Sequence, residues 1–128
     1  MIRSIVAVVV AVVAWFVAAT LGNWLLRAAL PGYSAVEVSM AFTLPMMIGR
    51  LALGVFSSLC AGAACAALSR GRRRPVVVTA VLMVLLFLPV HYMLWDKFPA
   101  WYHAFFLLSL APSVLGGAAL VSRLASPK

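Results

Sequence analysis

A chain of 128 residues with 66% hydrophobic side chains, 9% charged side chains and a mean hydropathy of +1.16 is not a water-soluble domain, which carries roughly 25% charged residues. The net charge of +8 does not indicate nucleic acid either, because the basic residues stand at the ends of apolar runs and in one short loop rather than along a solvated face. The apolar excess must therefore face lipid.

The first apolar run, about residues 4–27, is long enough to cross roughly 30 Å of hydrocarbon at about 1.5 Å per residue. Arg3 and Val17-Ala18-Ala19 imitate the ends of a signal peptide. The run nevertheless exceeds the usual apolar length of roughly 7 to 15 residues and continues into Trp24-Leu25-Leu26, so it reads as a retained helix. Pro31-Gly32-Tyr33-Ser34 ends it, and a loop of about ten residues follows. That loop holds Glu37, one of only two acids, with Ser39 or Thr43 as the N-cap of the next helix.

The second run, about residues 44–69, contains one misfit, Arg50. A centrally placed Arg costs roughly 2.5 to 3.5 kcal/mol on insertion scales, so a partner is expected, Glu37 or Asp96. Along the same face at i+4 steps come Gly54, Ser58, Gly62 and Ala66. Helices in lipid associate through close approach across such small residues, which places this helix at the centre of the packing. Cys60 and Cys65 are five residues apart, a rotation of about 140°, and so read as small packing residues that do not bridge each other.

Arg70, Arg72, Arg73 and Arg74 follow, then a third run at about 75–95 and a fourth at about 99–122. An arginine-rich loop stays on the cytoplasmic side. Counted from it, Arg3, Arg123 and Lys128 fall on the same side, while Arg27, Arg50 and Lys97 fall on the other. The expectation is one integral membrane domain over 1–128, an all-α four-helix transmembrane bundle with both termini cytoplasmic. Six of the seven Trp and Tyr residues, Trp24, Tyr33, Tyr92, Trp95, Trp101 and Tyr102, map to the outer side as an interfacial belt, and only Trp15 sits mid-membrane. Pro89 and Pro112 read as kinks that fit bent helices round their neighbours.

The hairpin between the last two runs, His91 to His103, carries both histidines and Asp96. Each histidine lies about one turn from the connection, so both imidazoles stand at similar depth, where they could sit inertly, relay protons or ligate a metal or haem. The candidate polar site is thus Arg50, Glu37, His91, Asp96 and His103. Two imidazoles without a thiolate or spare carboxylate leave most metal sites incomplete, so no metal or other cofactor is expected. A nucleotide-binding glycine loop, a Ser-His-Asp set and a carboxylate pair are all missing from the sequence, which disfavours an enzyme.

Trp95, Trp101-Tyr102-His103 and Leu115-Gly116-Gly117 together resemble a pattern of small four-helix bacterial inner-membrane proteins. The resemblance covers mainly the last third of the chain. It implies a bacterial cytoplasmic membrane and no particular activity. The function expected from the residues is a non-catalytic membrane component, either an accessory subunit or a small oligomeric transporter. The alternative is a haem-, copper- or quinone-associated protein using His91 and His103. Expected partners are the lipid bilayer and further copies of the chain or a larger membrane complex, with no nucleic acid.

Overall fold

The computed structural model describes residues 1–126; Lys128, counted above among the basic residues, lies outside them. Its elements are α1 (Ile2–Ala29), a single turn α2 (Tyr33–Val36), α3 (Leu44–Ser69), α4 (Arg73–Met93), a 3₁₀ turn (Trp95–Lys97) and α5 (Ala100–Ala125). The fold is all-α, and α1, α3, α4 and α5 are each long and apolar enough to cross a membrane. The protein is a small polytopic membrane protein. One end of the bundle gathers Arg3, the Arg70–Arg74 loop and Arg123; the other carries the hairpin with His91 and His103. These are called here the arginine end and the histidine end.

Helix α3 packs along its length against both α5 and α1, while α4 closes the bundle mainly against α5. The residues of its small face explain this position. A Cβ on Gly62 would overlap the Val114 carbonyl, and one on Gly117 would overlap the Leu59 carbonyl, so α3 and α5 cross with each helix's glycine against the other's backbone. Such closeness gains dispersion contacts that lipid-facing side chains cannot supply. Gly54 lies under the Phe106 ring, and Ala66 is buried in the same core. On the α1 side, Ala7, Ala11 and Trp15 recur at i+4 steps and are the only buried residues of that helix.

Apart from Ser57 Oγ, which has no partner among the described residues, the buried side-chain polar groups are satisfied locally. Trp15 Nε1–H donates to Ser58 Oγ at 2.9 Å, and Ser58 Oγ–H donates to the Gly54 carbonyl at 2.7 Å. Trp15, the one tryptophan in mid-bundle, is thereby buried with its polar hydrogen partnered. At the arginine end, Arg3 Nε–H donates to the Leu68 carbonyl at 2.7 Å, tying the start of α1 to the free carbonyls at the end of α3. Both cysteines are free thiols.

Three local expectations need correction. The loop after α1 is not irregular throughout: its helical turn α2 returns Tyr33 to the bundle, where the ring is fully buried. Thr43 is the residue before α3, but its hydroxyl makes no capping bond, and Ser39 Oγ serves its own turn by donating to the Val36 carbonyl. The aromatic belt is smaller than the sequence implied. Trp24, Tyr92, Trp95 and Trp101 are exposed, whereas Tyr33 and Tyr102 are buried and point their hydroxyls at Arg50.

Candidate functional site

Between α1, α3, α4 and α5, toward the histidine end, lies a cavity of about 450 Å³. Its floor is formed by Gly54, His91, Tyr102 and Phe106, all buried, and its rim by Phe16, Thr20 and Trp24 of α1 and Val90 of α4, all exposed. The chamber therefore opens sideways between α1 and α4, in the direction of the surrounding lipid. Most of its wall is aromatic or aliphatic; its polar groups are few and concentrated around Arg50.

Arg50 sits in the second turn of α3, where Pro45 opens the helix and the small face behind it lets α5 come close. Its Nη1–H donates to Tyr33 Oη at 2.7 Å and its Nε–H to Tyr102 Oη at 3.3 Å. Tyr33 O–H passes the chain on to Asn23 Oδ1 at 2.8 Å. The guanidinium also lies 4.6 Å from the Phe42 ring centroid, a distance at which the ring's negative face attracts a cation. Phe98 stacks on Tyr102 with centroids 4.3 Å apart and fixes the phenol that Arg50 meets.

The pairing of Arg50 with Glu37 or Asp96 expected from the sequence is not formed. Glu37 instead takes a bidentate pair from Arg27, 2.6 Å from Nε and 2.8 Å from Nη2, the only ion pair among the described residues. The physical reason is the turn at Pro31-Gly32, with Gly32 in the left-handed region at φ 77°, which folds the loop back onto the end of α1. The Arg27 hydrogen bond is the largest of the effects that hold the Glu37 carboxyl below the usual carboxylate range, and the through-space contribution of Arg50 the smallest. Asp96 is exposed in the 3₁₀ turn and forms no ion pair among the described residues. Arg50 is consequently a half-buried cation held by phenols and aromatic faces instead of a carboxylate.

The two histidines face each other. His91 Nδ1 and His103 Nδ1 are 2.7 Å apart, and His103 Nε2–H donates to the Trp95 carbonyl at 3.2 Å. The local sequence explains the meeting, because the short connection through Trp95–Lys97 brings the last turn of α4 against the first turn of α5. Neither Asp96 nor Arg50 bonds the histidines, whose partners are each other and a backbone carbonyl. Trp95 stacks over His103 with centroids 4.8 Å apart, and Phe106 lies 4.6 Å from His91. His91 lines the chamber; His103 stands behind it, almost fully buried.

A spacing of 2.7 Å is that of a hydrogen bond, shorter than the roughly 3.3 Å between two nitrogens on one tetrahedral ion. Among the described residues no three of His, Cys, Asp and Glu converge. A second hollow, at the arginine end, is lined by Met1, Ser4 and the exposed Arg72, Arg73 and Arg74, with Pro75 and Val78; none of these side chains makes a hydrogen bond among the described residues. Of these two hollows among the described residues, the chamber is the one where buried, oriented polar groups meet space for a ligand. Sequence reading singled out Arg50 and His91 there and missed Asn23, Tyr33 and Tyr102. The available signal was that a buried Arg needs hydrogen-bond acceptors, which tyrosine hydroxyls supply, though without the charge of an acid. No family model, curated protein or solved structure matches this chain.

Proposed function

We propose that this protein is a non-catalytic membrane component that holds an amphiphile, with an anionic head on Arg50 and the tail leaving between α1 and α4. The observation that carries this reading is Arg50 itself: a cation in the chamber wall that meets no carboxylate among the described residues. A guanidinium in low dielectric is costly without a counter-charge, and its Nη2 makes no hydrogen bond among the described residues. A phosphate or carboxylate head supplies both the charge and the acceptors that this nitrogen lacks. Arg27 also lines the chamber, but Glu37 already neutralises it. The aromatic walls and the sideways mouth suit an acyl chain.

The setting we infer is the cytoplasmic membrane of a bacterium, with the termini and the arginine loop in the cytoplasm and the chamber in the outer leaflet. The role is that of an accessory subunit or small transporter, and no resident metal or haem is assigned to it. The experiment is ligand binding to the purified protein in nanodiscs, followed by native mass spectrometry. Anionic lipids are expected to bind at least about tenfold more tightly than zwitterionic lipids of the same chains, and Arg50→Gln to remove that difference. Equal binding of both lipid classes, or an Arg50→Gln protein that still discriminates, would overturn the reading.

A further inference from the structure

The hydrogen bonds around the two histidines determine which ring nitrogen carries a proton. A carbonyl only accepts, so the bond from His103 to Trp95 O requires hydrogen on His103 Nε2. With His103 neutral, its Nδ1 is then a lone pair, and the 2.7 Å contact requires hydrogen on His91 Nδ1. The same logic, one step further, leaves His91 Nε2 bare. That nitrogen has no partner among the described residues, and His91 is the member of the pair that lines the chamber. The Trp95 carbonyl, through two imidazoles, thus presents the chamber with a hydrogen-bond acceptor. Arg50 presents it with donors and positive charge, and Tyr102 lies between them: it bonds Arg50 at 3.3 Å and stacks its ring 6.2 Å from that of His91.

A head that satisfies both groups needs an anionic oxygen for Arg50 and an acidic hydroxyl for His91 on the same centre. A monohydrogen phosphate has both. A phosphodiester has the anionic oxygen alone, and its ester oxygen would meet the His91 lone pair with another lone pair. We propose that the chamber selects a phosphomonoester lipid over a phosphodiester lipid, through the bare ring nitrogen of His91 acting beside the charge of Arg50. The proposal rests on the reading of the chamber as an anionic-amphiphile site and narrows the chemistry of its head. His103 touches no ligand and is a positioning residue, holding His91 in the accepting tautomer.

The test uses the full chain in nanodiscs with phosphatidic acid and phosphatidylmethanol of identical chains, which differ by one methyl on the phosphate, and with inorganic phosphate as competitor. Phosphatidic acid is expected to bind about tenfold more tightly, as for one hydrogen bond to a charged group. In His91→Phe, at a pH where both phosphates carry one negative charge, the two lipids should bind within about twofold of each other, because Arg50 alone then does not distinguish them. In the wild-type protein, ¹⁵N magnetic resonance of labelled histidine should show an unprotonated His91 Nε2 and a scalar coupling across the two Nδ1 atoms. Equal binding of the two lipids by the wild-type protein would overturn the selection while leaving the anionic-amphiphile reading intact. A preference that survives His91→Phe, or hydrogen found on His91 Nε2, would do the same. Failure of every anionic lipid to bind would instead overturn the underlying reading. Displacement of phosphatidic acid by equimolar inorganic phosphate would overturn the lipid as the source of the head.

Discussion

Ser57 and Ser58 are adjacent, chemically identical and both fully buried, yet the structure assigns them opposite effects. Ser58 Oγ accepts from Trp15 and donates to Gly54, whereas Ser57 Oγ makes no hydrogen bond to the described residues. Ser58→Ala leaves the indole hydrogen of Trp15 unsatisfied in a water-free interior and should cost about 1–3 kcal/mol. Ser57→Ala removes a polar atom that had no partner, and should be neutral or stabilising by up to about 1 kcal/mol. Unfolding of the two variants in detergent, side by side, checks the contrast; equal losses would contradict it. Arg50 teaches a related lesson. Its position in an apolar run shows that it needs partners, but hydroxyls and ring faces supply contacts here without supplying a counter-charge, so residue type alone does not name them.

At the scale of the helices, the crossing of α3 and α5 depends on two glycines, Gly62 set against the Val114 carbonyl and Gly117 against the Leu59 carbonyl. Their backbones cannot separate without losing the packing that holds them together in lipid. Even a methyl group there should force the helices apart. Gly62→Ala and Gly117→Ala are each expected to cost about 1–3 kcal/mol, and Gly62→Leu to disrupt the bundle. Gly116→Ala is the control, since a Cβ at that position meets Leu59 Cδ2 at an ordinary 3.6 Å. Thermal unfolding and gel filtration in detergent compare the three; a Gly116 variant as damaged as the other two would mean that the contact is not specific. The prolines act differently. Pro89 and Pro112 are exposed, and so are Leu85 and Leu108, whose carbonyls they release; none of the four lines the chamber.

For the whole molecule, the four crossing helices place residue 1 and residue 126 at the same end as the Arg70–Arg74 loop, with the chamber toward the opposite end. The clustering of arginines at one end predicts which side that is. Reporter fusions after Arg74 and after Ser126 should report the cytoplasm, and one within Asp96–Pro99 the outside. A reversed pattern would place the chamber in the inner leaflet and make its ligand a lipid of that leaflet.

The number of crossings, their approximate bounds and the central place of α3 follow from local facts: the length of apolar runs, the charges that interrupt them, and small residues recurring every four positions. These properties belong to single helices and survive whatever the neighbours do. The site is different in kind, because its groups come from four helices and a loop. Arg27 and Arg50 are both cations near the same end of the bundle, and only the turn at Gly32 decides that Glu37 goes to the first. The matched depth of His91 and His103 is visible in the spacing of the hairpin, but their mutual orientation depends on the rotation of α4 against α5, which periodicity does not determine. Helix formation satisfies the backbone within each segment, so the sequence determines the helices one by one. Which side chains meet between them is decided by the packing of all four together.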